Sequence, residues 1–282
     1  MMRSSPGESL IDRTKLLLES AQKHVYKETD EGLELNAYVF TPDEPAQQLR
    51  TALIFFYASA WDKGSIAQFG PQAMHFIERD AVAVLVEYRI NSAHDSTPLD
   101  SISDARSAIR WLRINAEALG IDSHRIVAIG GSAGAHLALC CAMIPDVAND
   151  PGDPDISCVP DGLALYSPIV DTSKKGFGQD RFPTPADGDS VNPMKHVAKN
   201  LPPMLFLHGS GDRVLPIATV ARFAKLIARK KNVCDMVGFE GKDHSFYNFN
   251  VDPDGYEVSL AEVDRFLCEQ GFLTATVQEE FS

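Results

Sequence analysis

The feature that most limits the fold of this chain is an alternation between short apolar runs and longer amphipathic segments. Nearly continuous apolar runs occur at 52–57, 81–86, 126–129, 163–166 and 204–207, with a weaker run at 234–239. Runs of this length suit parallel strands that are buried on both faces. Segments with helical periodicity lie at 66–79, 99–119, 133–144, 216–231 and 257–270. The succession predicts an α/β fold with a doubly wound, mostly parallel central sheet.

The N-terminal part departs from this alternation. Residues 9–20 have the pattern of an amphipathic helix. Residues 25–28 and 35–40 are predicted to pair as an antiparallel hairpin across the turn at 29–32.

Stretches rich in Pro, Gly, Asp and Ser interrupt the later alternation at 90–98, 145–160 and 171–200. They have no hydrophobic periodicity of their own, so we expect loop insertions or a small cap. Residues 1–282 are therefore predicted to form a single domain.

The charge and the apolar segments of the chain argue against some classes of partner and predict a cellular compartment. The formal net charge is −13, which argues against nucleic acid and anionic membranes as partners. The N-terminus lacks the apolar stretch of a signal peptide and no segment reaches membrane-spanning length, so we expect a cytoplasmic protein. The oligomeric state is left open, with a homodimer among the possibilities.

The cysteines and histidines do not suggest a metal. The five cysteines lack C-x-x-C spacing and lie mostly in apolar runs, which favours reduced, buried thiols. No cluster of His, Cys and carboxylate residues has the spacing of metal ligands. We expect neither a metal nor a cofactor.

One turn carries a strong chemical signal. The segment 130–135, with Gly-Gly-Ser-Ala-Gly-Ala, follows a strand-like run and opens a helix-like one. A serine held at such a turn projects from the backbone, and small neighbours let other chain segments pass close to it. The helix N-terminus behind it directs free N–H groups toward any oxyanion formed there. Ser132 is therefore the predicted nucleophile, and the Ala133 N–H a predicted oxyanion donor.

A serine nucleophile needs a base and a group that orients the base. His244 lies in a polar segment just after the strand predicted to end at Phe239, where open α/β sheets collect reactive groups. His208, which ends a strand, is a weaker rival, and His136 is expected to pack beneath the Ser132 turn.

Asp212 is the favoured acid because it follows a buried strand that runs into a Gly-rich turn. A carboxylate there can accept the imidazole N–H and so fix the required tautomer. Asp171 and Asp243 are the weaker alternatives.

The order Ser132, Asp212, His244 resembles the α/β-hydrolase family, nearest its branch of microbial acetyl-esterases and hormone-sensitive-lipase-like carboxylesterases. The segments 104–112 and 202–205 resemble the helix before the nucleophile strand and the acid-bearing strand of that branch, with Arg89 and Asp104 expected to pair. The resemblance implies ester hydrolysis through an acyl-serine, without a cofactor, on a small-molecule ester.

The chain departs from that branch in one place. Where the branch usually has a glycine-rich HGGG-W-like turn, this chain reads Tyr-Ala-Ser-Ala-Trp at 57–61. Positive φ at Ala or Ser would cost on the order of 1 kcal/mol, so the turn has either ordinary φ angles or an altered form. Ala58 and Ser59 N–H groups are predicted as the second oxyanion donor, with the Ser59 hydroxyl as a substitute.

Other side chains are expected near the substrate, and other activities fit the same pattern. The predicted pocket residues are Tyr57, Trp61, Phe177 and Phe182. The narrow, glycine-free turn predicts a short acyl group. The same triad would serve an acyltransferase or a thioester-releasing enzyme. A peptidase of this fold generally carries a large extra domain, for which 282 residues leave no room. Separately, the altered turn is compatible with a non-catalytic ligand-binding protein.

Overall fold

The central element is a sheet that runs through the whole molecule. A computed structural model describes residues 10–45, 47–144 and 155–275, with side chains from Arg13 onward. Within them the sheet has eight strands. They are β1 (Gln22–Glu28), β2 (Glu34–Phe40), β3 (Arg50–Phe56), β4 (Val82–Val86), β5 (Ile121–Gly131), β6 (Gly162–Tyr166), β7 (Met204–Gly209) and β8 (Cys234–Phe239).

The sheet is parallel except at its N-terminal edge. Its order is β1-β2-β4-β3-β5-β6-β7-β8, and β2 pairs antiparallel with both β1 and β4. Strands β3 to β8 are parallel to one another. This confirms the predicted doubly wound sheet with an antiparallel N-terminal hairpin.

Helices cover the sheet as their apolar faces require. They are α1 (Leu10–Glu19), α2 (Gly70–Glu78), α3 (Asn91–His94), α4 (Pro98–Ile114), α5 (Ala133–Met143), α6 (Pro185–Ser190), α7 (Ile217–Arg229) and α8 (Pro253–Glu269). Every residue of α5 is buried, so this helix lies wholly inside the protein. β3, β4 and β6 are likewise buried along their whole length, which explains their uninterrupted apolar sequence.

The sequence predictions differ from the structure mainly at element ends. The helix predicted at 66–79 is a 3₁₀ turn at Ile66–Phe69 followed by α2, because Pro71 starts a new first turn. The helix predicted at 257–270 begins at Pro253, where the Asp252 side chain accepts the Gly255 N–H. The strand predicted at 126–129 extends in both directions into β5.

The predicted insertions contain short elements. The 90–98 stretch forms α3 and enters α4, and 171–200 contains α6 between two 3₁₀ turns, Gln179–Arg181 and Pro193–Lys195. Residues 145–154 of the remaining insertion lie outside the described part of the chain. The division into a single domain stays a prediction. Because β3 to β8 are parallel, their carboxyl ends share one edge of the sheet, and the candidate site lies there.

Candidate active site

Ser132 stands at a strained turn between β5 and α5. Its φ of 52° lies in the left-handed region, where residues other than glycine store strain, typically at functional positions. Its N–H donates to the Tyr166 carbonyl at 2.9 Å. A Cβ on Gly134 would lie 2.1 Å from the Phe56 carbonyl oxygen, so only glycine lets β3 pass this close to α5. The turn thus depends on the glycine that the motif contains.

The side chains of Ser132, His244 and Asp212 form a continuous hydrogen-bonded chain. Ser132 Oγ lies 3.1 Å from His244 Nε2, and His244 Nδ1 lies 2.7 Å from Asp212 Oδ2. Because a carboxylate only accepts, Nδ1 carries the proton and Nε2 turns its lone pair toward the serine. The three residues come from the ends of β5, β7 and β8, as the sequence predicts. Their catalytic roles stay a prediction.

The Asp212 carboxylate has more partners than the sequence suggests. Its Oδ1 accepts the N–H groups of Val214 and Leu215, and its Oδ2 lies 3.1 Å from His208 Nε2 as well as next to His244. Burial favours the neutral acid, but the hydrogen bonds from His208, His244 and Leu215 lower the pKa of Asp212 well below its usual range. The acid is therefore ionised and held on both oxygens.

His208 is a contributor that sequence reasoning does not find. It is fully buried, and its Nε2 lies 2.8 Å from the Leu215 carbonyl and 3.1 Å from Asp212. Both neighbours can only accept, so Nε2 carries a proton and donates. His208 is thus a second donor to the acid rather than a rival base. The only sequence signal is its position four residues before Asp212, across a Gly-containing turn.

The alternative acids and the predicted Arg89–Asp104 pair form hydrogen bonds or ion pairs away from Ser132. The Asp243 carboxylate accepts the backbone N–H of the adjacent His244 at 2.7 Å. Asp171 accepts from Asn192 and lies 3.8 Å from Arg222. Arg89 binds Asp104 through two nitrogens at 2.9 and 2.8 Å, as expected.

His136 is buried beneath the Ser132 turn. Its Nε2 donates to the Val191 carbonyl at 2.9 Å, and its ring meets Trp61 edge-on at 5.1 Å. Burial lowers the pKa of His136 to about 4, so it is neutral at pH 7.

One of the oxyanion donors predicted in the turn at 57–61, the Ala58 N–H, is wrong. The Ala58 N–H donates to Gln68 Oε1 at 2.6 Å, so it is not available to a substrate. The N–H groups of Ser59 and Ala133 form no hydrogen bond to any residue that the structure describes. Ser59 and Ala133 therefore remain the predicted donors.

The Ser59 hydroxyl is also engaged, contrary to its predicted role as a substitute donor. The Tyr88 hydroxyl oxygen lies 2.6 Å from the Tyr57 carbonyl oxygen and 2.8 Å from Ser59 Oγ. Since a carbonyl only accepts, the Tyr88 proton goes to Tyr57, and Ser59 donates its own proton to Tyr88. Ser59 Oγ in turn accepts the Trp61 N–H at 2.9 Å.

Backbone strain in this turn falls after the predicted donors. The φ angles of Ala58 and Ser59 are not positive, whereas Ala60 and Trp61 have φ of 49° and 58°. The glycine-free turn therefore has ordinary angles at its donors and left-handed angles at the next two residues.

The predicted pocket residues separate into a cluster and a single ring. Trp61 packs edge-on against Phe182 and tilted against Phe177, and Trp61 and Phe182 are buried. Tyr57 is also buried and stacks on Tyr88 at 4.3 Å. Their contact with substrate stays a prediction.

A cavity of about 210 Å³ lies beside the Asp212 loop. Its walls include Phe177 and Val170, together with Leu215, whose N–H binds the Asp212 carboxylate. Pro168, which follows β6 by two residues, forms another wall. The cavity therefore adjoins the end of the sheet at which the three hydrogen-bonded side chains meet.

Metal-binding clusters and membrane-spanning helices are both absent from the described residues. In residues 10–45, 47–144 and 155–275, no group of three or more His, Cys, Asp or Glu side chains could hold a metal ion. Over the same ranges, no helix has the length and apolar character needed to cross a membrane.

A strained serine after the nucleophile strand, a histidine and a buried acid at one edge of a doubly wound sheet define the α/β-hydrolase class. Matches to known proteins agree. A family model described as BD-FAE matches residues 38–157, and the model of the prolyl oligopeptidase family matches residues 172–269.

A solved esterase from the planctomycete Thermogutta terrifontis is 37% identical, with a TM-score of 0.86, over 92% of this chain and 98% of that one. The chain therefore belongs to the carboxylesterases of the α/β-hydrolase superfamily. Its narrower placement in the hormone-sensitive-lipase-like branch stays a prediction.

Curated relatives are more distant. The isoprenylcysteine α-carbonyl methylesterase ICME of Arabidopsis thaliana is 25% identical over 70% of this chain and 51% of its own length. Esterase LipC of Mycobacterium tuberculosis is 28% identical over 73% of this chain and 54% of its own length. The chain spans about half the length of these curated relatives.

Proposed function

We propose that this protein hydrolyses small carboxylic esters with short acyl groups through an acyl-serine intermediate. Ser132 is the nucleophile, His244 the general base, and Asp212 the group that orients the base. The observation that carries the proposal is the hydrogen-bonded chain from Ser132 Oγ to His244 at 3.1 Å and from His244 to Asp212 at 2.7 Å. The ester chemistry is supported by the relatives, which are named as esterases.

The first half-reaction forms the acyl-serine. His244 Nε2 takes the Ser132 proton as Oγ bonds to the acyl carbon, and the carbonyl electron pair moves onto oxygen. The N–H groups of Ala133 and Ser59 stabilise that oxyanion. The intermediate then collapses, the ester C–O bond breaks, and the imidazolium returns its proton to the departing alcohol.

In the second half-reaction water replaces the alcohol. His244 takes a proton from water, the new hydroxyl bonds to the acyl carbon, and Ser132 leaves with the proton from the imidazolium. The ionised Asp212 stabilises the imidazolium in both steps, and hydrogen bonds from His208 and Leu215 help to keep it ionised.

One observation supports a short acyl group. The Thermogutta terrifontis esterase has been solved with propionate and with butyrate bound. We expect p-nitrophenyl acetate and butyrate to turn over faster than the octanoate, and faster turnover of octanoate would contradict the short-acyl proposal.

The experiment that tests the mechanism compares wild type with Ser132→Ala. We expect the variant to lose at least about 10³-fold in kcat on p-nitrophenyl acetate and to lose all labelling by a fluorophosphonate probe. Ser123→Ala is the matched control, because Ser123 lies in the same strand β5 but near its opposite end. Labelling that persists in Ser132→Ala would exclude Ser132 as the nucleophile.

The same assay separates hydrolysis from acyl transfer. With an added alcohol or thiol acceptor, a hydrolase releases mainly the free acid, whereas an acyltransferase forms an acceptor-dependent product. A wild-type protein that neither turns over esters nor reacts with the probe would instead favour a ligand-binding role.

We also propose a cytoplasmic location. Cys140, Cys234 and Cys268 are free thiols, and Cys140 is buried. Unpaired thiols are typical of proteins from reducing compartments.

A further inference from the structure

The turn at 57–61 is secured by side chains instead of glycines. The peptide between Tyr57 and Ala58 is held at both ends: its carbonyl accepts from Tyr88 at 2.6 Å, and its N–H donates to Gln68 at 2.6 Å. A peptide unit is planar, so two such contacts fix its orientation.

The peptide between Ser59 and Ala60 is held separately. Its carbonyl accepts the N–H groups of Asp62 and Lys63, each at 3.0 Å. The intervening peptide, between Ala58 and Ser59, lies between these two fixed units. Its N–H is the Ser59 donor, which bonds to no residue within the described ranges. Its direction is therefore set by the contacts on either side.

Gln68 also reaches the segment that carries the predicted base. Its Nε2 donates to Asn248 Oδ1 at 2.9 Å, four residues after His244. One amide side chain thus bonds to the oxyanion turn with its oxygen and to the histidine segment with its nitrogen. Gln68 lies in the 3₁₀ turn Ile66–Phe69, which ends directly before α2, so its backbone is part of regular structure.

A second glutamine provides an internal comparison. Gln72 Nε2 donates to the Tyr247 carbonyl at 2.9 Å, so it holds the same histidine segment from α2. No hydrogen bond joins Gln72 to residues 57–61 in the described structure. Both glutamines therefore bind the segment that follows His244, whereas of the two Gln68 alone also binds the turn at 57–61.

We propose that Gln68 is a positioning residue for ester hydrolysis. It directs the Ser59 N–H at the oxyanion and fixes the position of this N–H relative to His244. The proposal rests on the proposed function. The Gln68 side chain supplies the constraint that the glycine-free turn needs. Loss of one correctly placed oxyanion donor typically costs about 10² to 10³ in rate.

The test is Gln68→Met, which keeps the side-chain length and removes both hydrogen bonds. With p-nitrophenyl acetate we expect kcat to fall by about 10²-fold and KM to change by less than about threefold. A short-chain alkyl trifluoromethyl ketone, which forms a tetrahedral oxyanion on the serine, should bind about 10²-fold more weakly.

Two further variants make the result specific. Gln68→Glu keeps an acceptor for the Ala58 N–H, and Asn248 can turn its amide to donate, so kcat and ketone affinity should stay within about fivefold of wild type. Gln72→Met is the matched control and should lower the melting temperature while changing both quantities by less than about threefold.

Each outcome decides the proposal. A folded Gln68→Met with near wild-type kcat and ketone affinity overturns it, and so does an equal loss in Gln72→Met, which would indicate general loosening of the histidine segment. If Gln68→Met does not fold, Gln68→Glu decides alone: a 10²-fold loss there overturns the role of the Ala58 contact. These failures differ from failure of the proposed function, in which wild type itself lacks Ser132-dependent turnover.

Discussion

The Ser132 turn and the turn at 57–61 meet at the same end of the sheet but are held in different ways. Both place residues other than glycine in the left-handed region: Ser132 in one, Ala60 and Trp61 in the other. At Ser132 the strain is balanced by close backbone packing, because Gly134 lets β3 approach α5. At 57–61 no glycine is present, and the hydroxyl of Tyr88 and the amide of Gln68 hold the backbone.

The difference shows that one backbone requirement can be met by two kinds of residue. Glycine permits left-handed angles and close approach without side-chain contacts. Side-chain hydrogen bonds can hold a strained conformation instead, since a residue in a sparsely populated region persists when its surroundings over-determine it. The first solution is visible in a motif. The second depends on residues that are distant in sequence.

The largest expected effect in stability comes from filling the space at Gly134. In Gly134→Ala the new Cβ would lie 2.1 Å from the Phe56 carbonyl and 2.5 Å from the Tyr57 carbonyl, both backbone atoms. We expect the free energy of unfolding in urea to fall by about 3 kcal/mol. Gly238→Ala is the control, since its Cβ would meet only Ile217 at 3.5 Å. Equal changes in the two variants would show that close packing does not support the Ser132 turn.

A smaller effect is expected from His136, which touches Trp61 from the Ser132 side. Burial lowers the pKa of His136 to about 4, below its ordinary value of about 6.5. Between these values the unfolded chain binds a proton that the folded chain does not, so stability falls as pH falls. We expect a loss of about 2 kcal/mol between pH 7.5 and 5.

The measurement is urea unfolding of wild type and His136→Gln at both pH values. The glutamine amide can still donate to the Val191 carbonyl but does not titrate, so the pH-dependent loss should be smaller by about 2 kcal/mol. The lowered pKa of Asp212 adds its own loss only at more acidic pH, below about 4, and does so in both proteins. An unchanged pH dependence in His136→Gln would mean that His136 is not the titrating group.

The smallest effect tests the strain in the glycine-free turn itself. Ala60 has φ of 49°, so Ala60→Gly should raise the free energy of unfolding by up to about 1 kcal/mol. Ala228→Gly, at an exposed position of the helix α7, should lower it by about 0.5 to 1 kcal/mol. Urea titration measures both. A loss of stability in Ala60→Gly would indicate that the turn is not strained at this residue.

The sequence alone predicted the sheet, its antiparallel edge and the residues that meet at its end. Buried parallel strands need apolar runs without polar alternation, and β3, β4 and β6 show that pattern directly. Ser132, Asp212 and His244 could be found because parallel strands bring their carboxyl ends together. The start of α8 was less predictable, because Asp252 caps it five residues before the apolar periodicity begins.

The tertiary structure decided how the site is supported. Backbone donors have no side-chain signature, so the sequence could not show that Gln68 occupies the Ala58 N–H and that Ser59 keeps its own. Nor could it show that His208 binds Asp212, because this contact depends on how the chain after β7 turns back. Residue types and strand order determined which groups could react. The paths of loops through space determined which N–H groups remained available to them.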